Sequence, residues 1–130
     1  MTDDLVVLDA SALLALLFNE AGADIVAARL TTAVIGAVNL SEVAAKLADH
    51  GMPEAAIALT FGEFDLDVRP FDVDQAHVAA SLRGPTRAFG LSLGDRACLA
   101  LAHQLQAVAF TADRVWAGLG LDGVRVKLIR

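Results

Sequence analysis

The sequence predicts an α/β chain with helices on both faces of a central, mostly parallel sheet. Three observations lead there. Short aliphatic and β-branched runs at residues 5–8, 33–38 and 107–110 are separated by helical segments of ten or more residues, long enough for the crossovers that parallel strands need. Hydrophobic residues make up 56% of the 130 residues, sufficient for one buried core at this length. A single cysteine, Cys98, rules out an intramolecular disulfide and a zinc site of paired thiols, so the core must carry the fold.

Residues 5–8 (Leu-Val-Val-Leu) read as a buried strand that ends at Asp9. Residues 11–18 and 22–30 follow as helices, built from leucine and alanine. Residues 33–38 form the second strand. Beyond Ser41, the residues Val43, Ala44, Leu47 and Ala48 recur at helical spacing until His50-Gly51 stops them. Pro53 opens another helix, to about Phe61. Residues 64–68 alternate Phe, Leu and Val with Asp65 and Asp67, the pattern of a strand wetted on one side. Asp72 or Asp74 caps a helix to about Arg83, which Gly84-Pro85 breaks into a loop reaching Gly94. A helix over 95–106, a strand over 107–110, a short helix over 113–119 and a strand over 124–129 complete the path. No internal repeat or low-complexity segment interrupts it, so residues 1–130 read as one domain.

The N-terminus opens with Asp3 and Asp4 rather than the positive residues of an export signal. The apolar stretch over 5–18 is short for a membrane span and carries Asp9 at its centre. A soluble protein of the reducing cytoplasm is expected. The net charge of −6 is uneven: residues 1–65 hold ten acids against Arg29 and Lys46, whereas residues 66–130 hold eight bases against six acids. Unaided nucleic-acid binding is a poor prior for such a chain, because phosphate contacts need positive charge.

In open parallel sheets ligands bind beyond the carboxyl ends of the strands. Four acids fall at that edge: Asp9 after the first strand, Glu42 one step into the helix after the second, Asp95 at the start of the long helix, and Asp113 three residues past Phe110. Glu42, Asp95 and Asp113 have an ordinary explanation, since acids near helix N-termini are favoured by the macrodipole. Asp9 has none, because burying an acid straight after Val-Val-Leu costs several kcal/mol without compensation. If the four converge, their repulsion raises some pKa values or calls in a cation. Hard ions such as Mg²⁺ or Mn²⁺ suit an all-oxygen set, would acidify water, and would grip a phosphodiester. The residues alone leave both a metal site and scattered helix caps open.

Four segments, Asp9-Ala10-Ser11-Ala12, Asn39-Leu40-Ser41-Glu42-Val43, residues 91–100 (Leu-Ser-Leu-Gly-Asp-Arg-Ala-Cys-Leu-Ala) and Thr111-Ala112-Asp113-Arg114, resemble the signature blocks of PIN-domain proteins, and more narrowly of VapC-type toxins. The likeness runs from Leu5 to Leu128, with the blocks in the expected order and spacing. It implies an α/β/α sandwich, a Mg²⁺- or Mn²⁺-dependent endoribonuclease acting on structured RNA such as tRNA or rRNA, a cognate antitoxin, and a homodimer. Carried over, Asp9, Glu42, Asp95 and Asp113 become the catalytic, metal-holding acids, with Ser11 and Thr111 as supporting hydroxyls. Arg96 and Arg114, each beside a site acid, and Arg83 and Arg87, flanking Gly84-Pro85, are candidate substrate contacts on position alone.

Other features have plainer readings. Cys98 reads as a small core residue, Trp116 as a packing anchor, and His50 as a helix end. His50, His77 and His103 lack helical pairing, against zinc. Leu13, Leu14, Leu16, Leu17 and Phe18 exceed what one buried face needs and suggest a partner surface. A receiver-like signalling domain would want an aspartate at the end of the third strand, where Val68 is followed by Arg69-Pro70. A haloacid-dehalogenase-like phosphatase would want an acid where Ser11 stands. A non-enzymatic PIN-like scaffold remains as the binding-only alternative.

Overall fold

The computed structural model describes residues 4–130, so Asp3 lies outside the described residues. Five parallel strands form one sheet in the order β3-β2-β1-β4-β5: β1 (Val6–Leu8), β2 (Ala33–Gly36), β3 (Asp67–Arg69), β4 (Val108–Thr111) and β5 (Arg125–Leu128). The sheet is parallel throughout, as the crossover lengths require, and helices cover both faces.

Strand alternation divides the core in two. Val6 and Leu8, with Ala33, Ile35 and Phe110, face one layer, where they meet α1 (Ala10–Leu17), α2 (Ala23–Ala28), α3 (Ala37–Asp49) and α4 (Glu54–Phe64) through Leu13, Val26, Val43, Leu47 and Ile57. Val7, Val34 and Ala109 face the other, packing on Cys98, Leu99, Leu101 and Ala102 of α7 (Leu93–Leu105) and on Trp116. Cys98 and Trp116 are therefore core residues. The chain adds α5 (Val73–Ser81), which packs on α7, the short α6 (Arg83–Thr86), and short 3₁₀ turns.

β1 sits at the centre. From it the chain runs outward through β2 and β3, then returns to place β4 on the other side. The reversal opens a crevice beyond the carboxyl ends of β1 and β4. Asp9 N–H donates to Phe110 O there at 3.1 Å.

The structure corrects several boundaries. β2 ends at Gly36 and α3 begins at once at Ala37, so Glu42 lies in the second turn rather than at the helix start. The third strand covers only Asp67–Arg69 and is largely exposed; Phe64 belongs to α4. Gly84-Pro85 does not open a long loop, because Pro85 sits in the first turn of α6, where its missing N–H costs nothing. Asp72 is the cap of α5, accepting from Gln75 N–H at 2.8 Å. Leu14, Leu16 and Leu17 are partly buried against the molecule's own core, which absorbs much of the apolar excess in α1. Among the described residues no helix is long and apolar enough to cross a membrane.

Candidate active site

Asp9 is 5% exposed and its carboxylate accepts three hydrogen bonds. Oδ1 accepts from Ser11 Oγ at 2.7 Å and from Ala12 N–H at 2.8 Å; Oδ2 accepts from Thr111 Oγ1 at 2.5 Å. Asp9 is thus the N-cap of α1. By sequence, Glu42 has the helix-start explanation and Asp9 has none. The structure reverses the two, since the first turn of α3 holds no acid.

The hydroxyl hydrogens beside Asp9 are both committed. Each donates its hydrogen to Asp9, and each accepts a backbone N–H from the chain leaving β4: Ala112 to Ser11 Oγ at 2.9 Å, Asp113 to Thr111 Oγ1 at 3.0 Å. The two oxygens lie 3.4 Å apart with no hydrogen left to share. The network ties the ends of β1 and β4 together and sets where Asp113 begins. Burial pushes the Asp9 carboxyl above its ordinary range; these hydrogen bonds pull it back, and the Asp95 carboxylate adds a smaller upward push.

Glu42 reaches the site from the opposite wall. Asn39, 1% exposed, donates through Nδ2 both to Glu42 Oε1 at 2.9 Å and to Gly94 O at 3.0 Å, so one amide joins α3 to α7. The Glu42 carboxylate lies against the Gly94 backbone so closely that a Cβ there would fall 2.6 Å from its carboxyl carbon. Only glycine leaves that space. Asp95 closes a capping box at the start of α7, its Oδ2 accepting from Ser92 N–H at 2.9 Å and Ser92 Oγ accepting from Asp95 N–H at 3.2 Å. Asp113 Oδ1 accepts from Val115 N–H at 3.0 Å.

Asp9, Glu42, Asp95 and Asp113 line one cavity of about 290 Å³, together with Ser11, Leu14, Asn39 and Lys46. Beneath it, the buried Cys98 thiol is pushed well above its usual range, first by burial and then by Asp9, Asp95 and Glu42. That thiol stays protonated at neutral pH. Among the described residues no three His, Cys, Asp or Glu side chains stand close enough to form a ready ion cage. The donors are nevertheless all hard oxygens with capacity to spare: Asp9 Oδ2 has a second lone pair, and Glu42 Oε2, Asp95 Oδ1 and Asp113 Oδ2 carry no hydrogen bond among the described residues. This chemistry fits a divalent cation such as Mg²⁺ or Mn²⁺, gripped after side-chain rotation.

None of the arginines singled out by position lines this cavity. Arg96 Nη1 donates to Ala79 O on α5 at 3.1 Å, away from the acids. Arg83, Arg87 and Arg114 are exposed. The cation at the cavity is Lys46, and Asn39 lines it too; neither stands out as a site residue by sequence. Once α3 is known to begin at Ala37, Asn39, Glu42 and Lys46 fall at i, i+3 and i+7 on one helix face.

The model of the PIN domain family matches residues 6–120. No curated protein matches the sequence. Among solved structures, the chain is similar to DNA-bound VapBC from Salmonella typhimurium, with 17% identity, TM-score 0.75, and coverage of 97% of this chain and 98% of that one. It is also similar to VapBC2 from Rickettsia felis bound to a promoter DNA fragment, with 10% identity, TM-score 0.71, and coverage of 95% and 98%. VapBC-5 from Mycobacterium tuberculosis shares 21% identity at TM-score 0.64, with coverage of 96% and 98%. These likenesses concern the fold.

Proposed function

The chain belongs to the PIN-domain family, and from that premise we propose that it is a divalent-metal-dependent endoribonuclease, the toxin of a toxin–antitoxin pair. The observation that carries the reading is the single cavity at the carboxyl ends of β1 and β4, where four carboxylates gather with no arginine among them. A pocket so charged holds little by itself; it suits a cation, and through it an anionic ester. The structural likeness to VapBC complexes supports a small protein antitoxin as partner. A homodimer, structured RNA as substrate, a cytoplasmic setting and a single domain over 1–130 belong to the same reading.

Asp9 and Asp95 are the central ligands in this account, with Glu42 and Asp113 completing the set. A bound Mg²⁺ or Mn²⁺ would supply positive charge against the negative charge that grows on a phosphodiester under attack by water. The chain's own groups do the rest. Ser11 and Thr111 hold the Asp9 oxygens in one orientation, since both hydroxyl hydrogens are committed to them. Asn39 occupies Glu42 Oε1 and leaves Oε2 to take the proton of the attacking water. Lys46, at the rim, meets the substrate's phosphate.

The test is to sequence RNA ends in cells expressing the chain or its Asp9→Asn variant, and to incubate the purified proteins with the same RNAs in Mn²⁺, Mg²⁺ or chelator. New ends are expected only with the unaltered chain and only with metal. Undiminished cutting by Asp9→Asn would end the proposal.

A further inference from the structure

A second cavity, of about 340 Å³, adjoins the acidic one and shares Ser11, Leu14 and Lys46 with it. Its far walls are Phe18, His50 and Arg130, with Glu20 beside the arginine. Nothing in the account above uses these residues. We propose that this groove takes the RNA strand next to the cleaved phosphate, with an unpaired base stacked on His50 and the flanking phosphates on Lys46 and Arg130. The inference rests on the nuclease reading and names a subsite of it.

His50 caps α3 and is fixed in place. Its Nδ1 lies 2.9 Å from Lys46 O; a carbonyl only accepts, so Nδ1 carries the hydrogen and the ring is pinned to the helix end. Phe18, the C-cap of α1, backs it with ring centroids 4.8 Å apart and planes tilted by 41°. Two rings held by two helix ends make a pre-ordered stacking surface, and His50 is exposed. Single-stranded RNA is read in this way, by unpaired bases on aromatic faces and phosphates on cations.

The charges favour a polyanion. Lys46 makes no ion pair among the described residues and is one of only two bases in residues 1–65. Arg130 comes from the far end of the sequence, carried in by Ile129. Ile129 N–H donates to Thr111 O at 2.9 Å, and Ile129 O packs against Gly22 so closely that a Cβ there would fall at 2.6 Å. Arg130 Nη1 then donates to Ala21 O at 2.9 Å and lies 3.5 Å from Glu20, a loose and exposed pair that leaves the guanidinium able to meet a phosphate. The acidic half of the chain is thus given two cations at the place where a strand leaving the carboxylates must run.

The test uses a fluorescent single-stranded RNA bound to Asp9→Asn protein, which keeps the strand intact, followed by cleavage kinetics with the unaltered catalytic acids. His50→Ala is expected to weaken binding about tenfold, and His50→Trp, which restores a ring, to recover it. Removing one base from the strand should cause the same loss, and His50→Ala should add nothing on that abasic strand. Lys46→Ala should lower the slope of log affinity against log salt by about 0.7. In cleavage, His50→Ala should raise KM and leave kcat unchanged. RNA cut with equal KM by both proteins overturns this subsite while the nuclease reading stands. RNA bound in a His50-dependent way but never cut by the unaltered chain supports the subsite and overturns the nuclease. Unchanged RNA affinity with an altered sedimentation of His50→Ala protein makes the groove a protein interface and overturns the proposal.

Discussion

Asp9 and Glu42 face one cavity from opposite walls and are held there by different means. Asp9 is buried, and two strand ends, two hydroxyls and a helix N-terminus converge on it. Glu42 stands at the surface of α3, where one buried amide and the missing side chain of Gly94 keep it in position. The first arrangement costs electrostatic energy, which hydrogen bonds repay in part. The second costs sequence freedom, since the neighbouring helix must carry glycine. A carboxylate can be placed by solvation or by shape, and this cavity uses both.

The sharpest way to break the comparison is Asp9→Asn. Cleavage should fall at least about a thousandfold, because the charge that faces the cation is lost, several kcal/mol at about 1.4 kcal/mol per tenfold. The fold should not suffer. Asn Oδ1 still accepts from Ser11 and Ala12, and its amide hydrogens meet Thr111 Oγ1, whose own hydrogen can turn to Ser11 Oγ, now 3.4 Å away. The melting temperature in chelator should therefore hold or rise. A collapse of the fold together with activity would mean that Asp9 is chiefly a structural cap.

Thr111→Val tests the same wall with a smaller effect. Thr111 is fully buried and serves both Asp9 and the Asp113 amide. Its removal should cost about 1–3 kcal/mol of stability and about 10–100-fold in Mn²⁺ affinity, read by denaturation and calorimetry. Equal Mn²⁺ affinity in the two proteins would show that Asp9 needs no orientation.

Legibility in the sequence follows the same division. The β1, β2 and β4 segments were readable because their aliphatic residues are buried on both faces, and Asp9 stood out against Val-Val-Leu. β3 was misplaced because an exposed edge strand has no burial pattern to betray it. The start of α3 was missed because Gly36 caps it with no side chain, while Ser41 imitates a cap five residues later. That single shift hid the shared face of Asn39, Glu42 and Lys46. Arg96 follows Asp95 by one residue, which turns its side chain about 100° around α7, where it donates to Ala79 O on α5. Glu42 and Gly94, 52 positions apart, could not be paired from spacing at all.

Gly94→Ala probes the wall held by shape. The added methyl meets the far end of a flexible side chain, so Glu42 swings away and the helices need not part. The melting temperature should change little. Cleavage should drop by about tenfold, in keeping with the share of one positioned proton acceptor, roughly 10²-fold at full effect. Asn39→Ala should reproduce the activity loss and destabilise as well, because the buried hydrogen bonds that join α3 to α7 are lost. Activity unchanged in Gly94→Ala would remove Glu42 from the chemistry.

The smallest effect concerns pH and separates the walls without touching catalysis. Burial raises the Asp9 pKa in the folded chain above its unfolded value. Below the unfolded pKa the group is protonated in both states and folding pays no charge penalty. As pH rises through the folded pKa, the folded chain must bear the buried charge, and that stability is lost. In chelator the melting temperature of the unaltered chain should therefore fall relative to Asp9→Asn from about pH 4 upward and then level off. A cation needs the carboxylate form, so Mn²⁺ binding should release a proton and tighten over the same window. Parallel curves for Asp9→Asn and the unaltered chain would mean that the three hydrogen bonds cancel the cost of burial in full.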